Sequence, residues 1–257
     1  MSKKILDNLV GEERLLIATA CDKAAQAVQR QQPYFTTFLD PGQRALLSQY
    51  DYLWDATMDS FGGYAEAERQ IVAFSPGLVD YPLQYPLVAV AVSGNFNFAT
   101  VTHRDYLGSL LALGIKRDTV GDILVGTAGC QLVLQQTIAS YVLANWQAVG
   151  KVGIKVAEIP VAELKPPEPK IVWRQATVAS LRLDAIVAVA YAISRTQAAT
   201  LIRGGKFKHN FVVETRCDKT VAIGETLSLA VQGRAQLREI GGQSRKGRWY
   251  VQIAHFV

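Results

Sequence analysis

Residues 181–210, LRLDAIVAVAYAISRTQAATLIRGGKFKHN, contain the pattern that decides the C-terminal fold: two short helices in quick succession, then a strand. The first helix is predicted by apolar residues at three- and four-residue steps, which are Leu183, Ile186, Val187 and Ala190. Ser194 and Gln197 have the spacing of a capping box, and Gly204-Gly205 supplies a left-handed end. The second helix is therefore predicted to be short and firmly bounded.

The second helix and the strand after it carry a basic, hydrogen-bonding surface. Because successive helix residues turn by about 100°, three polar residues share one side: Arg195, Thr196 and Arg203. Lys206, Lys208 and Asn210 alternate along the strand, so we expect them to share one face beside the helix. This surface is predicted to bind phosphates. The full set of candidate RNA-binding residues is Arg182, Ser194, Arg195, Thr196, Arg203, Lys206, Lys208, Asn210, Arg234, Arg245, Lys246 and Arg248.

The net charge of +5 is unevenly distributed along the chain. Residues 170–257 hold 14 Lys and Arg against 5 Asp and Glu, a net +9, whereas residues 1–169 hold 13 against 17, a net −4. Such a concentration of positive charge is costly unless a polyanion uses it, which favours nucleic acid or an anionic membrane surface as partner. The alternative is a solvated surface without a partner.

The motifs of this region resemble the S-four (alpha-L) RNA-binding domain. They are Leu181–Asp184, Ser194-Arg195, Leu201–Lys206, Asn210, Val221–Glu225 and Gly233-Arg234. The resemblance covers residues 178 to about 235 and implies binding of structured RNA by the two-helix face. The chain departs from the family pattern at His209, where valine is common, and at Glu225, where aspartate is usual.

The rest of the chain predicts a folded α+β protein of several parts. An N-terminal helical region is expected over residues 1–68, a ferredoxin-like βαββαβ domain over 69–164, a Pro-rich linker over 165–172 and the S-four domain with a small β-sheet over 173–257. The six elements of the βαββαβ domain are predicted at Leu87–Val92, Asp105–Leu113, Asp122–Val125, Cys130–Leu134, Gln135–Trp146 and Lys151–Ile159.

Composition narrows the class of protein. With 49% hydrophobic and 19% charged residues the chain is expected to fold, and its apolar stretches, such as Leu87–Val92, are far shorter than the roughly 20 residues of a membrane helix. Acidic residues near the N-terminus argue against a signal peptide, so a cytoplasmic location is expected. Three cysteines without a C-x-x-C pair and three scattered histidines predict neither a disulfide framework nor a metal site, and no cofactor is expected.

Motifs upstream of the S-four region extend the resemblance, and the whole chain is similar to the YlmH family. They are Phe38–Pro41, Phe61–Tyr64, Glu68-Arg69, His103–Gly108, Gly114–Arg117, Gly121–Ile123 and Lys246–Arg248. Membership implies binding to the large ribosomal subunit, through its rRNA with or without tRNA. It also implies a role in rescuing stalled translation. Photosynthetic members are labelled photosystem II S-four domain proteins, and the N-terminal helix around Leu15–Val28 resembles that branch.

Enzymes also carry S-four domains, but no catalytic part is recognised in this sequence. The only R-L-D triplet, Arg182–Asp184, lies at the start of the helix pair, where Asp184 is expected to cap or pair. His103-Arg104-Asp105 lacks the asparagine that a kinase catalytic loop needs, because Leu110 stands there. We therefore predict a protein that is not an enzyme.

Three questions stay open at the level of sequence. His103 and Arg104 at the N-terminus of a helix, with Lys116 and Arg117 at its other end, form a second RNA contact, or else His103 and Asp105 simply cap the helix. Phe61–Tyr64 makes either a ligand-binding turn or a tight structural turn. The basic domain serves either RNA or, alternatively, a protein or membrane-surface adaptor role, for example in photosystem biogenesis. A monomer without membrane insertion is expected.

Overall fold

The computed structural model describes residues 9–77, 82–96, 101–168, 170–229 and 232–256. The chain divides into two compact units, residues 1–167 and 168–257. Each unit has its own buried core. No single helix in the described residues is long and apolar enough to cross a membrane.

The first unit begins with a helix-covered sheet. Its elements are α1 (Gly11–Arg30), β1 (Tyr34–Leu39), α2 (Pro41–Gln49), β2 (Thr57–Phe61) and β3 (Gln70–Ser75). The three strands are antiparallel in the order β1-β3-β2. A capping box starts α2, because the Asp40 carboxylate accepts a hydrogen bond from the Gln43 backbone amide at 2.8 Å and the Gln43 side-chain oxygen accepts one from the Asp40 backbone amide at 2.9 Å.

The N-terminal region is less helical than the sequence analysis predicted. The helices α1 and α2 are present, but β1 and β2 occupy residues that were expected to be helical. The strand β3 pairs with these two strands, although it lies beyond residue 69, where the middle domain was expected to begin. The strand β1 is rich in aromatic and β-branched side chains, which pack well on a pleated surface.

The middle of the first unit has the predicted βαββαβ order. Its elements are β4 (Leu87–Gly94), α3 (His103–Ala112), β5 (Val120–Val125), β6 (Gly129–Gln135), α4 (Gln136–Asn145), the two-residue strand β7 (Ala148–Val149) and β8 (Val152–Ile159). The sheet order is β5-β6-β4-β8-β7, with antiparallel neighbours throughout. This is the ferredoxin-like arrangement, to which the small β7 hairpin is added.

The two faces of this middle sheet have different coverings. On one face, Leu110 of α3 and Val142 of α4 pack on strand residues such as Leu132. On the other face, Phe38 of β1 and Ile71 of β3 pack on Val133 and its neighbours. RNA-recognition modules of related architecture stack bases on this second face, but here the N-terminal sheet covers much of it.

The second unit is a six-stranded antiparallel sheet with two helices on one side. Its elements are β9 (Ile171–Val178), α5 (Leu183–Tyr191), α6 (Arg195–Arg203), β10 (Phe207–His209), β11 (Val212–Val213), β12 (Thr226–Leu229), β13 (Gly233–Gln243) and β14 (Trp249–Phe256). The order is β11-β10-β12-β13-β14-β9. The helices make an angle of 112°, and among the helices of the described residues only this bent pair, taken together, has the length and apolar composition of a membrane span.

The core of the second unit lies between the helix pair and the sheet. Leu183 and Ile186 of α5 and Ile202 of α6 are fully buried against Leu237 and Ile253. The first strand, β9, begins at Ile171, within the segment 165–172 that was expected to be a linker, because it pairs along its whole length with β14. The S-four resemblance begins only at residue 178, so β9 extends this unit upstream of it.

Candidate nucleic-acid interface

A buried carboxylate organises the start of both helices in the second unit. Asp184, in the first turn of α5, accepts two hydrogen bonds from the Arg195 guanidinium, at 3.0 and 3.1 Å. Arg182 approaches the same carboxylate at 3.4 Å. Of the two expected roles of Asp184, capping or pairing, the structure shows pairing with arginine side chains. Because 42% of the Arg182 side chain and 52% of the Arg195 side chain stay exposed, Asp184 orients two cations that solvent can still reach.

The capping box of α6 is formed as predicted. The Ser194 hydroxyl accepts a hydrogen bond from the Gln197 amide at 3.1 Å, and the Gln197 side chain accepts one from the Ser194 amide at 3.0 Å. Ser194, a candidate RNA-binding residue, is thus engaged in holding the helix end. Thr196 is exposed in the first turn beside Arg195.

The far end of α6 presents the exposed cations Arg203 and Lys206. The chain turns through Gly205, which has a φ of +68°, and the Lys206 amide donates to the Leu201 carbonyl at 3.1 Å. Lys208 follows on β10, exposed between the buried Phe207 and His209. Arg203, Lys206 and Lys208 are therefore all accessible within six residues of chain.

The strand alternation predicted that Asn210 shares a face with Lys208, but Asn210 does not lie on that face. Its backbone is left-handed, with a φ of 48°, which ends β10. Its side-chain oxygen accepts from the Thr226 amide at 2.8 Å, and its side-chain nitrogen donates to Glu225 at 3.1 Å. The oxygen and the nitrogen of the Asn210 side-chain amide thus tie the end of β10 to the start of β12.

The two departures from the S-four pattern contact each other. The His209 Nε2 and Glu225 Oε2 atoms lie 2.8 Å apart, and the Ala222 amide donates to the same carboxylate oxygen at 2.8 Å. Partial burial alone would raise the pKa of Glu225, but the hydrogen bonds from Ala222, His209 and Asn210 lower it below its ordinary value. The substitutions at these two positions are therefore one coupled feature.

The turn between β13 and β14 carries three further candidates. Arg245 and Lys246 are exposed on a turn that is closed by a hydrogen bond of 2.8 Å from the Ser244 amide to the Arg248 carbonyl. Arg248 reaches across to β9, where its guanidinium donates to the Thr177 hydroxyl at 3.2 Å and to the Thr177 carbonyl at 2.6 Å. Arg234 lies on β13, directly opposite Phe256.

Some features of the second unit escaped the sequence analysis. Glu214 pairs with both Arg216 and Lys219 at 3.1 Å, and these contacts hold the pKa of Glu214 well below its ordinary value, so part of the net charge is compensated locally. Arg238 lies 6.0 Å from the centre of the Phe256 ring. Trp173 and Tyr250 are large and exposed. Ile171–Val178 begins with three apolar residues in a row and shows no period-two alternation, so the sequence carried no signal that could have placed Trp173 on an open face.

The candidates for a second contact, in the first unit, separate into two groups. His103 and Arg104 are exposed in the first turn of α3, and Lys116 is exposed beyond its end. Arg117 turns inward instead, where it donates to the carbonyls of Val120 and Gly121, and desolvation together with the nearby Arg69 charge lowers its pKa to about 10. The cap is formed by Thr102 and Asp105 rather than by His103.

The Phe61–Tyr64 segment makes a structural turn. The Asp122 carboxylate accepts hydrogen bonds from the Tyr64 hydroxyl at 2.8 Å, the Glu68 amide at 2.6 Å and the Arg69 amide at 3.0 Å. A Cβ on Gly62 would lie 2.5 Å from the Ala67 Cβ and closer still to the Arg69 carbonyl oxygen. The glycine is needed because the chain folds back on itself there.

No group of three or more His, Cys, Asp or Glu side chains in the described part of the chain is arranged to hold a metal ion.

Comparison with known proteins gives concordant results. Residues 12–77 match the family model described as "YlmH, N-terminal", and residues 82–163 match the one described as "Putative RNA-binding domain in YlmH". The chain is 32% identical over 241 residues to "Ribosome-associated protein quality control protein P2" of Bacillus subtilis (strain 168), covering 93% of this chain and 94% of that protein.

A solved structure, "Cell division protein ylmH from Streptococcus pneumoniae", is similar in fold. It aligns with a TM-score of 0.51 and 22% identity over 62% of this chain and 98% of its own. The family models together match more than half of the chain, and the B. subtilis relative matches nearly all of it. The chain therefore belongs to the YlmH family.

Proposed function

We propose that this protein binds structured RNA without catalysing a reaction, and that the RNA is ribosomal RNA of the large subunit, with or without tRNA, in translation quality control or ribosome function. The observation that carries the proposal is the set of exposed cations along α6 and the turn after it, within residues 170–257, whose net charge is +9: Arg195, Arg203 and Lys206. We call these residues the helix-face cations.

Pre-organisation supports this proposal. Arg195 is held by the buried Asp184, and the capping box fixes the first turn of the helix that carries it. A cation that is already oriented loses less side-chain entropy when it binds a phosphate. The B. subtilis relative is named a ribosome-associated quality control protein, and the matching family model is described as RNA-binding, which agrees with an RNA partner.

The test is a charge reversal that leaves the helix pair folded. Arg195→Glu is unsuitable, because it would place a second carboxylate beside the buried Asp184. Arg203→Glu/Lys206→Glu changes two exposed residues instead. Lys23→Glu/Arg30→Glu on α1 is a matched control, since it changes the net charge by the same amount in the other unit.

Binding is measured by fluorescence anisotropy with hairpins from large-subunit rRNA, with small-subunit rRNA and with tRNA, and by cosedimentation with separated ribosomal subunits. The log–log salt slope changes by roughly 0.7 to 0.9 for each phosphate contact. We expect Arg203→Glu/Lys206→Glu to flatten it by roughly 1.5 and to weaken binding about tenfold or more on every RNA. The control variant should bind as wild type does.

Two outcomes contradict the proposal. Equal weakening by both variants would mean that net charge, and not this surface, determines binding. A wild-type protein that binds none of the RNAs but binds anionic vesicles or an acidic protein would favour the adaptor function instead.

A further inference from the structure

The sheet of the second unit has a second face, which the helices do not cover. β9 and β14 pair in continuous register from Ile171 opposite Phe256 to Val178 opposite Trp249. Because side chains alternate along a strand, Val251 and Ile253 point to the helix side, where they are buried. The residues between them point the other way. We call the following residues the open sheet face: Trp173, Gln175, Thr177, Tyr250, Gln252 and Phe256.

Two aromatic side chains stand out on the open sheet face. Trp173 is 53% exposed and Tyr250 is 52% exposed, so solvent reaches both rings. Trp173 lies opposite Ala254, four residues along β14 from Tyr250. At the usual rise of a strand the two rings are about 13 Å apart along the strand direction. They are therefore placed to contact different groups of one extended ligand.

Cations border these aromatic side chains at both ends. Arg248 lies at the Tyr250 end, where its guanidinium is fixed by two hydrogen bonds to Thr177. Arg238 lies at the Phe256 end, 6.0 Å from the ring centre. Glu239 is the acidic residue that lies between them, near Gln252. The arrangement is complementary to an extended anion that carries flat groups.

A cavity of about 390 Å³ opens beside Tyr250. The residues that line it include Gln175, Thr177 and Gln252, together with the acidic Glu239. Gly241 keeps it open on the β13 side, because a Cβ there would approach the Tyr250 Cβ to 3.2 Å. Amide groups both donate and accept hydrogen bonds, as the edges of nucleobases do.

We propose that the open sheet face binds single-stranded RNA, with unpaired bases stacked on Tyr250 and Trp173 and with one base edge hydrogen-bonded by Gln175 and Gln252. Arg248 and Arg238 contact the phosphates on either side. Exposed aromatic rings combined with cations are the usual means of binding unpaired nucleotides. The inference rests on the proposed function in one respect, that RNA is the ligand. The surface is a different one, because it lies on the side of the sheet opposite the helix pair.

The test uses the full chain and a fluorescein-labelled 12-nucleotide oligouridine, which has no secondary structure, with binding followed by anisotropy. Trp173→Ala and Tyr250→Ala should each weaken binding roughly 5- to 100-fold, the range for loss of one stacked base. Trp173→Phe and Tyr250→Phe should retain most of the affinity, because the rings remain. Tyr52→Ala is the matched control, since Tyr52 is 64% exposed in the other unit.

Tryptophan fluorescence supplies a readout that a structural role would not change. Trp146 is buried, and Trp54 and Trp249 are partly buried in their cores, so Trp173 is the exposed indole. Saturation with oligouridine should quench the wild-type emission, and Trp173→Phe should lose most of this quenching while still binding.

The outcomes separate this proposal from the function proposed above. The open sheet face proposal is overturned if oligouridine does not bind at low salt, or if it binds Trp173→Ala/Tyr250→Ala as well as wild type. The helix-face proposal stands in that case, provided that rRNA hairpins bind through the helix-face cations. If neither RNA binds, both are overturned. If Trp173→Ala/Tyr250→Ala loses oligouridine but keeps the hairpin, the open sheet face is supported.

Discussion

Replacing Asp122 by alanine should destabilise the first unit, because this carboxylate holds the turn after β2. It accepts three hydrogen bonds, from the Tyr64 hydroxyl and from the amides of Glu68 and Arg69. A hydrogen bond to a charged group contributes about 1.5–3 kcal/mol. Since Asp122 is only half-buried and the three bonds are not additive, we take about 3 kcal/mol for the whole set.

That loss corresponds to a fall of roughly 6–12 °C in the unfolding midpoint of a unit of this size. The measurement is thermal unfolding by circular dichroism and by tryptophan fluorescence in a Trp173→Phe/Trp249→Phe background, in which both remaining indoles, Trp54 and Trp146, lie in the first unit. Asp122→Asn keeps one acceptor oxygen and should lose about half as much. Asp118→Asn, at an exposed carboxylate four residues away, is the control and should unfold as wild type does.

The reasoning would be refuted by an Asp122→Ala variant that unfolds within 2 °C of wild type yet binds RNA differently. In that case the carboxylate and the Phe61–Tyr64 turn would belong to a ligand site rather than to the scaffold.

Three further predictions concern single residues. Gly62→Ala should lower the midpoint of the first unit by several degrees in the same assay, because its Cβ has no space beside Ala67, whereas Gly108→Ala, with nothing within 4 Å of its Cβ, should not. Asp184→Asn should lower the free energy of unfolding of the second unit by about 1–2 kcal/mol, measured in urea, and should weaken RNA binding. The value is reduced because the arginine partners of Asp184 are partly exposed. The folded state lowers the pKa of Glu225 below 4.5. The ionised carboxylate therefore stabilises the fold above that pH, and this stabilisation is lost as the pH falls through the folded pKa. Unfolding free energies measured from pH 6 to pH 3 should decline less steeply in Glu225→Gln than in wild type.

Features determined by local sequence were predictable. The capping box of Ser194 and Gln197 involves residues three apart, so its spacing alone identifies it. The six elements of the ferredoxin-like domain have clear periodicity and turn glycines between them. The resemblance to the YlmH family added the expectation of an S-four unit, which periodicity by itself could not provide.

Features determined by distant contacts were not predictable. The strand β1 is buried on both sides, with Leu39 towards α1 and Phe38 towards the middle sheet, so it shows no simple alternation. Arg117 is a surface cation by sequence, but its guanidinium binds carbonyls of β5. Asn210 was placed on a strand face, yet it ends the strand and binds across to Glu225 and Thr226. Distant partners decide the role of β1 and of Asn210, whereas Arg117 is turned inward by carbonyls only three and four residues ahead, which the sequence alone does not show to be within its reach.

The distribution of charge bears on which part of the chain dominates RNA affinity. Residues 82–163 match the family model described as RNA-binding, but they hold 5 Lys and Arg against 5 Asp and Glu, a net charge of zero. The N-terminal sheet also covers much of the open face of the middle sheet. Since phosphate contacts supply most non-specific affinity, the second unit is expected to dominate, and the exposed His103, Arg104 and Lys116 can add only a few contacts.

The geometry of the second unit constrains the kind of RNA that can use all of it. The helices α5 and α6 pack on one side of the sheet, so the helix-face cations Arg195, Arg203 and Lys206 and the open sheet face lie on opposite sides. A straight duplex cannot reach both, because the sheet stands between them. Arg245 and Lys246 lie on the turn at one end of β13 and β14, next to Arg248, which reaches the open sheet face. An RNA that contacts both surfaces therefore has to pass round the unit, and a paired segment continued by an unpaired strand meets that requirement.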